Sequence, residues 1–330
     1  IMFTTSMMLG TMITISSNSW LGMWLGLEIN LLSIIPLMSN VKNKMESETA
    51  MKYFIVQVMA STILLLSMIL MLMNKSNLST MTIKSMILDS AVLTKMGAAP
   101  FHFWFPEIME GLSWINSAIM LTWQKIAPMI IVSYSNKPIM FMMTVISMSM
   151  IISGIMGMNQ TSMRKILAFS SINHIGWMLS TMLTNQTIWI IYLTIYSMMT
   201  INMTLMMKKL NIFHIKQMIN SSMDNKTLKN MFTLNFLSMG GIPPFIGFFP
   251  KWITINFLIN EKMIMLTLIM IVTTLLTLFF YMRISFTSMI LKTYKVKNYQ
   301  LNKENKTMIF TTNFLILSSL SICTMIFNFI

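Results

Sequence analysis

The chain contains few residues that carry redox, metal or soluble-domain chemistry. A single cysteine, Cys323, excludes a disulfide framework and a thiolate metal site. The three histidines, His102, His174 and His214, are far apart and do not form a metal-binding spacing. There is no Rossmann glycine fingerprint, P-loop, cysteine cluster or haem-ligand pair. We therefore expect no cofactor and no metal on this chain.

Charged residues are also scarce, whereas long hydrophobic runs are abundant. Only 10% of the residues are charged, against about 25% in soluble domains. Hydrophobic residues make up 55%, the mean hydropathy is +0.70, and apolar runs of about 20 residues recur. The first polar break leads straight into another apolar span, so no cleavable signal is expected. The composition predicts an all-α polytopic membrane protein with no soluble domain. The eleven predicted spans are 3–20, 22–40, 54–73, 83–112, 115–134, 139–158, 166–184, 187–207, 230–260, 263–283 and 308–329.

The distribution of basic residues predicts the sidedness of these spans. The net charge is +14, which in a soluble protein would suggest nucleic acid, but here the loops explain it. Of the 23 basic residues, 16 follow even-numbered spans, 4 follow odd-numbered spans and 3 lie within spans. This bias places the N-terminus and the loops that follow even-numbered spans (the even loops) on the side of the membrane where the protein is synthesised. Because membrane topology explains the positive charge, we expect no nucleic-acid partner. The 44 methionines fit an AT-rich mitochondrial genome, so that side would be the matrix.

One motif occurs twice and predicts two broken helices. Residues 97–107 recur loosely as residues 241–251, with five identical positions at one offset of 144 residues, and each copy lies inside an apolar segment. Proline removes a backbone donor and blocks a helical turn, so spans 4 and 9 should each be interrupted. The residues that predict the interruptions are Gly97, Pro100, Pro106, Gly241, Pro243, Pro244 and Pro250.

The two breaks predict the domain organisation. Five crossings separate them, so the two copies should face opposite ways, as in an inverted repeat. We expect one membrane domain, with repeats at 1–134 and 135–285 and a basic loop and final span at 286–330. Paired interrupted helices are typical of the working site of a transporter. The basic loop 286–306 is a candidate for binding anionic lipid headgroups such as cardiolipin.

Ionisable residues inside the spans are the candidate functional groups. Glu28 is centred in an apolar run, and Lys95 directly precedes the first break. A buried acid–base pair can hold or release a proton as its two members move together or apart. The alternative is a static ion pair that fixes helix packing.

Three further spans carry one candidate each. Lys125 lies near the middle of span 5, with Pro128 weakening the helix nearby; the alternative is a lysine that reaches an interface. His174 is a candidate because a histidine side chain ordinarily titrates near neutrality and can pass protons through both ring nitrogens; the alternative is a hydrogen-bonded core histidine. Lys251 ends the second break, where the alternative is an interfacial anchor beside Trp252.

The remaining acidic residues have simpler interpretations. Glu107 and Glu110 follow Pro106 and should lie in a first helical turn, where the helix dipole favours carboxylates. Asp89 is six residues before Lys95, about 240° around the helix, and should face elsewhere. These positions point to structure rather than to transport.

Long motifs in order make the chain similar to a known family. The motifs are Gly26-Leu-Glu-Ile-Asn30, Lys95-Met-Gly-Ala-Ala-Pro-Phe-His-Phe-Trp-Phe-Pro106, Thr122-Trp-Gln-Lys-Ile-Ala-Pro128, Arg164-Lys-Ile-Leu-Ala-Phe-Ser-Ser171 and Gly240-Gly-Ile-Pro-Pro-Phe-Ile-Gly-Phe-Phe-Pro-Lys-Trp252. Over essentially its whole length the chain resembles the antiporter-like membrane subunits of respiratory complex I. Asp89 departs from the family's pattern, and span 10 lacks a charge to match Lys125.

The resemblance implies roles for the matching positions. Glu28 and Lys95 would form the pair at the entry of a proton path, Lys125 would be the central carrier, His174 a bridging group and Lys251 the exit group. It also implies a multisubunit enzyme of the mitochondrial inner membrane, H⁺-translocating NADH:ubiquinone reductase. NADH, FMN, iron–sulfur clusters and ubiquinone would be held by other subunits. The partners would be other membrane-arm subunits and inner-membrane lipids.

Two alternative functions are compatible with the same residues. The first is a free-standing cation/proton antiporter, which would work without partners. The second is a non-pumping structural subunit of the same complex. Proton pumping after Lys125→Ala separates a transport role from a structural one.

Overall fold

The computed structural model describes residues 2–40, 43–73, 78–221 and 226–290. In these ranges the chain is helical, apart from turns and an isolated β-bridge between Ser162 and His214. The predicted span 308–329, most of the basic loop 286–306, and Cys323 lie outside the described residues.

The described residues form fourteen α-helices and one 3-10 turn. In chain order the helices are α1 (Met2–Ser16), α2 (Trp20–Met38), α3 (Lys44–Met73), α4 (Leu78–Met96), α5 (Trp104–Gly111), α6 (Trp114–Leu121), α7 (Ile126–Tyr134), α8 (Ile139–Met158), α9 (Met163–Thr184), α10 (Gln186–Leu210), α11 (Ile215–Ser221), α12 (Lys226–Gly240), α13 (Phe248–Asn260) and α14 (Ile264–Ile290). The 3-10 turn, Trp123–Lys125, joins α6 to α7.

Seven segments of the described chain are long and apolar enough to cross a membrane. They are Trp20–Met38, Lys44–Leu72, Trp114–Tyr134, Ile139–Met158, Met163–Thr184, Gln186–Leu210 and Ile264–Ile290. With the shorter apolar helix α1 and the two interrupted pairs α4–α5 and α12–α13, they follow the order of the first ten predicted spans. The all-α polytopic class is confirmed. The total of eleven spans stays a prediction.

Two helices begin earlier than the hydrophobic runs predict. Helix α3 starts at Lys44 rather than at residue 54, because residues 44–53 combine polar and apolar helix-forming residues and include a Glu48–Lys52 ion pair of 3.0 Å. Helix α4 starts at Leu78 rather than at residue 83. Lys84 lies inside this helix and is buried.

The chain divides into two compact units, Ile1–Ser149 and Met150–Ile330. In the first unit α1 packs along α2, α3 lies against α2, α4 and α5, and α7 contacts α1, α2 and α4. Helices α1 and α2 approach closely at Gly10 and Gly26, where a Cβ on Gly26 would lie 2.4 Å from the Thr14 side chain. Small residues at such crossings let membrane helices approach closely.

In the second unit α9 is the central helix. It contacts α10, α13 and α14, and 94% of its apolar window is buried. A helix buried on all sides has polar residues only where they have a partner or a function. Helix α9 carries His174, Asn173 and several hydroxyl groups.

Candidate functional site

The two predicted helix breaks have the same local structure. Helix α4 ends at Met96 and α5 begins at Trp104, and helix α12 ends at Gly240 and α13 begins at Phe248. The first residue after each ending is a glycine with positive φ, 75° at Gly97 and 79° at Gly241. Residues with a Cβ rarely adopt this conformation, so glycine closes both helices.

The backbone hydrogen bonds of the two breaks also match. Both helices end with a bond from the second residue after the helix to a carbonyl five residues earlier, which is typical of a Schellman cap. Three bonds recur at the offset of 144 residues: Ala98 to Leu93 (3.1 Å) and Ile242 to Leu237 (3.4 Å), Phe101 to Ala98 (2.8 Å) and Phe245 to Ile242 (2.9 Å), Phe105 to His102 (3.0 Å) and Phe249 to Ile246 (3.2 Å). The interruption is therefore a repeated structural element.

Side chains donate hydrogen bonds to the carbonyls freed at the first break. The indole Nε1 of Trp104 donates to the carbonyl of Thr94 at 3.0 Å. The amide Nε2 of Gln57, on α3, donates to the carbonyl of Lys95 at 3.4 Å. An interrupted helix at membrane depth requires such internal partners.

A lysine has that role at the second break. The Lys251 Nζ donates to the carbonyl of Gly240 at 2.8 Å, lies over Gly241, and is 6.0 Å from the ring centroid of Trp177 on α9. Only 6% of Lys251 is exposed. This position is inside the protein, unlike that of an interfacial anchor, whereas Trp252 is exposed.

Glu28 and Lys95 face each other across α2 and α4. The Lys95 Nζ lies 3.7 Å from Glu28 Oε1, with side-chain exposures of 3% and 21%. This separation is longer than a hydrogen bond but within the distance of an ion pair. The two groups form an ion pair between α2 and α4, mostly shielded from solvent.

A small polar cavity adjoins Lys95. Its polar lining comes from Asn30 on α2, Tyr53 and Gln57 on α3, and Gln124 in the 3-10 turn. The space open to the centre of a water molecule is about 20 Å³, and about 10–15 Å³ is enough for one water. The cavity can hold a water beside the lysine.

Lys125 is buried at the end of the 3-10 turn that interrupts its span. Only 2% of the residue is exposed, and its Nζ lies 5.7 Å from the ring centroid of Phe105 in the first break. Pro128 is in the first turn of α7, where its missing N–H costs no helical bond. The proline is therefore tolerated in the helix that begins at Ile126, just after the lysine.

His174 lies inside α9 against two tyrosines of α10. Its Nδ1 is 2.9 Å from the Tyr192 hydroxyl, and its ring centroid is 4.9 Å from that of Tyr196. The neighbouring Asn173 amide donates to Thr277 of α14 at 3.5 Å. The imidazole is thus part of a buried polar layer in the second unit.

The other sequence candidates lie elsewhere. Glu107 is exposed in the first turn of α5, 3.8 Å from Lys52, while Glu110 is in the next turn. His102 is buried within the first break and contacts Phe103, with ring centroids 4.5 Å apart and a tilt of 31° between the ring planes. Asp89 is buried beside Ser135 and Lys137 rather than beside Lys95.

Sequence reasoning missed the amides around Lys95. Asn30, Gln57 and Gln124 each stand inside a predicted span, and an amide in an apolar span needs a partner. That signal was present in the sequence. The tyrosines beside His174 carry no comparable signal, because tyrosine is common in membrane helices.

The fold and these buried charged groups define an antiporter-like polytopic membrane protein. The family model described as "NADH:quinone oxidoreductase/Mrp antiporter, TM" matches residues 17–277. A chain of respiratory complex I from Thermus thermophilus with bound aureothin has a TM-score of 0.84 at 19% identity, covering 96% of this chain and 76% of that one. A chain of the Mrp complex from Dietzia sp. DQ12-45-1b has a TM-score of 0.75 at 18% identity, covering 92% and 62%.

Comparison with sequence relatives shows which family within this class the chain belongs to. NADH-ubiquinone oxidoreductase chain 2 of Anopheles gambiae is 46% identical, over 99% of this chain and 93% of that protein. The protein of the same name from Locusta migratoria is 48% identical, over 88% and 85%. The chain belongs to the NADH-ubiquinone oxidoreductase chain 2 family.

Proposed function

We propose that this chain translocates protons as a core membrane subunit of NADH:ubiquinone oxidoreductase, driven by electron transfer elsewhere in the complex. Family membership makes it a subunit of that enzyme and gives it other membrane subunits of the complex as partners. We place it in the mitochondrial inner membrane, with the N-terminus and even loops in the matrix. The proposed proton carriers are Glu28, Lys95, Lys125, His174 and Lys251.

The observation that carries the proposal is the burial of Lys125 at an interruption in a membrane span. A charge in a membrane helix costs at least about 2.5–3.5 kcal/mol on insertion scales. Helix packing alone gives no reason to keep an amine there. The 3-10 turn that ends at Lys125 interrupts the α-helix at the same place, and such irregular segments line water cavities in transporters.

The interaction energy of a Glu–Lys pair is similar to the free energy needed to move one proton against the membrane potential. Moving one charge against about 180 mV takes about 4 kcal/mol, at about 2.3 kcal/mol per 100 mV. Two unit charges about 4 Å apart attract by about 4 kcal/mol at an effective dielectric constant of about 20. Bringing Glu28 towards Lys95, or drawing it away, therefore changes proton affinity by the required amount.

The chemistry of electron transfer is assigned to other subunits. NADH, FMN, iron–sulfur clusters and ubiquinone would be bound there, and this chain would respond through its contacts with neighbouring membrane subunits. Anionic lipids such as cardiolipin are proposed partners of the basic loop 286–306.

The test is proton pumping by the reconstituted complex carrying Lys125→Ala. We expect the number of protons moved per NADH oxidised to fall, while assembly and uncoupled electron transfer persist. The matched control is Lys44→Ala, which removes an exposed lysine at the start of α3. Wild-type stoichiometry and wild-type coupled turnover in Lys125→Ala would assign the chain a structural role instead.

A cation/proton antiporter is the second candidate, because the matching family model also covers Mrp antiporters. Sodium-coupled proton flux through the isolated, reconstituted chain would support it. Flux that appears only in the assembled complex, and only with NADH, would exclude it.

A further inference from the structure

Asp89 is a buried carboxylate that the proposed proton path does not use. None of its surface is exposed, and its helix α4 packs against α3 and α7. The carboxylate lies beside the Ser135 hydroxyl and interacts electrostatically with Lys137. A buried carboxylate without a counter-charge is costly, so Lys137 explains how Asp89 is tolerated.

Lys137 connects this buried acid to the surface. It lies in the short link 135–138 between α7 and α8, where Asn136 is exposed and Lys137 itself is half-buried. Burial lowers the pKa of the Lys137 amine, and the attraction of Asp89 acts in the opposite direction. An ammonium group with a lowered pKa releases its proton more readily than an ordinary lysine.

Few other ionisable groups lie on the helices around Asp89. Residues 54–73 of α3 contain none. On α4 the others are Lys84, which is buried, and Lys95; on α7 there is only Tyr134, which is exposed. Of these side chains, Lys95 is the one that already serves as a proton carrier in the proposed path.

Helices α4 and α7 join the two sites. Lys95 and Pro128 line the same polar cavity, whereas Asp89 and Ser135 meet further along. The separation is six residues on α4 and seven on α7, about 9–10 Å at 1.5 Å per residue. The two helices thus run antiparallel, with one acid–base pair at each end of their shared stretch.

We propose that Asp89 and Lys137 form a second proton-carrying pair, through which a proton leaving Lys95 reaches water at the link 135–138. This inference rests on the proposed function. The Asp89–Lys137 pair would give the first unit its own proton outlet. This outlet would lie on the side of the membrane opposite to the one where the protein is synthesised, as the distribution of basic residues predicts.

The proton balance of this outlet has three steps. The Lys137 ammonium first releases its proton to water, leaving a neutral amine. The Lys95 ammonium then gives a proton through bridging water to the Asp89 carboxylate, leaving a neutral Lys95 amine and a carboxylic acid. The acid passes the proton to the neutral Lys137 amine, which restores the carboxylate–ammonium pair.

The stretch between the two sites serves as a barrier. Val92 on α4 and Ile131 and Val132 on α7 are buried there, and all three are apolar. Hydrophobic constrictions block conduction when dry and open when water enters. Such a barrier prevents a continuous proton leak between Lys95 and the outlet.

The decisive variant is Lys137→Arg in the assembled, reconstituted complex. Arginine keeps the positive charge beside Asp89 but does not release a proton in proteins. A static ion pair therefore tolerates the change, whereas a proton carrier does not. We expect the protons moved per NADH to fall to the value found for Lys125→Ala, with normal assembly. Lys262→Arg, at an exposed lysine, is the matched control.

The pH dependence gives a second readout. Asp89→Asn removes the attraction that opposes the lowering of the Lys137 pKa, so the pH profile of the remaining pumping should move to lower pH. Asp89→Glu should restore the wild-type profile. If the complex carrying Asp89→Asn fails to assemble, Lys137→Arg still tests the outlet, because it keeps the negative charge of Asp89 and the positive charge at position 137.

The outcomes separate the two proposals. Normal pumping in Lys137→Arg with reduced pumping in Lys125→Ala would make the Asp89–Lys137 pair static and overturn the outlet alone. Normal pumping in both variants would overturn the proposed function itself. Reduced pumping in both, with an unchanged Lys262→Arg control, supports the outlet.

Discussion

The Lys251 Nζ donates a 2.8 Å hydrogen bond to the carbonyl of Gly240, the last residue of α12. One amine thus satisfies the backbone of an interrupted helix and is also a proposed proton carrier. An ammonium group has three donors and no acceptor, so at least two remain for water or other partners. A neutral Lys251 amine could still donate a hydrogen bond to the Gly240 carbonyl, but this bond would be weaker than the one from the ammonium group.

Substitution of Lys251 separates these two roles. Lys251→Met removes the donor and leaves the Gly240 carbonyl buried, which costs about 1–3 kcal/mol. Lys251→Gln keeps an N–H donor but cannot carry a proton. We expect both variants to lose pumping, and only Lys251→Met to lower the thermal inactivation midpoint of the complex substantially.

The comparison of the two variants tests the assignment. Equal loss of thermal stability in Lys251→Gln and Lys251→Met would show that the amide cannot replace the amine as a cap. Full pumping in Lys251→Gln would remove Lys251 from the proton path.

Glycine at the two breaks should be required for backbone geometry. Gly97→Ala and Gly241→Ala force a side chain into positive φ, which costs about 1–2 kcal/mol per residue. A Cβ on Gly241 would also lie 2.9 Å from the Lys251 Nζ. Gly240→Ala is the matched control, because Gly240 is helical and the nearest atom to its Cβ would be 3.6 Å away.

The measurement is the thermal midpoint of the assembled complex. We expect losses in Gly97→Ala and Gly241→Ala, and no loss in Gly240→Ala, where alanine favours the helix. A loss in Gly240→Ala equal to that in Gly241→Ala would mean that space, and not backbone conformation, selects glycine there.

Much of this fold is encoded in local sequence. Apolar runs predict the membrane spans because a bilayer demands about 20 apolar residues per helix. Gly97, Pro100 and their counterparts predict the breaks, because proline lacks a backbone N–H donor and glycine readily adopts a positive φ. Apolar runs do not predict the early start of α3, because hydropathy reports burial in lipid and not helix length.

Side-chain partners can be predicted only where charge demands one. Glu28 and Lys95 are expected to pair because each is costly alone, but 67 residues separate them and no local rule sets their distance. The Lys137 partner of Asp89 depends on how α4 packs against α7, which no residue spacing reveals. The Trp104 and Gln57 caps likewise follow from tertiary packing.

The Glu28–Lys95 pair should be energetically coupled. Removing one partner of a buried ion pair costs about 3–5 kcal/mol, because the other charge is left uncompensated. We expect Glu28→Gln and Lys95→Met each to lower thermal stability, and the double variant to lose less than the sum. The interaction free energy should be about 1–3 kcal/mol. Additive losses would mean that the two groups do not sense each other at 3.7 Å.

His174 should depend on Tyr192 for its orientation. The two are linked by a 2.9 Å contact between Nδ1 and the hydroxyl, and both are buried. Tyr192→Phe removes this partner at a cost of about 1 kcal/mol. It also changes which ring nitrogen holds the proton, since the partner of one nitrogen sets the state of the other. The ¹⁵N spectrum of His174 should therefore change, together with proton pumping. Tyr134→Phe, at an exposed tyrosine, should leave both unchanged. An altered spectrum with full pumping would make His174 a core histidine rather than a proton carrier.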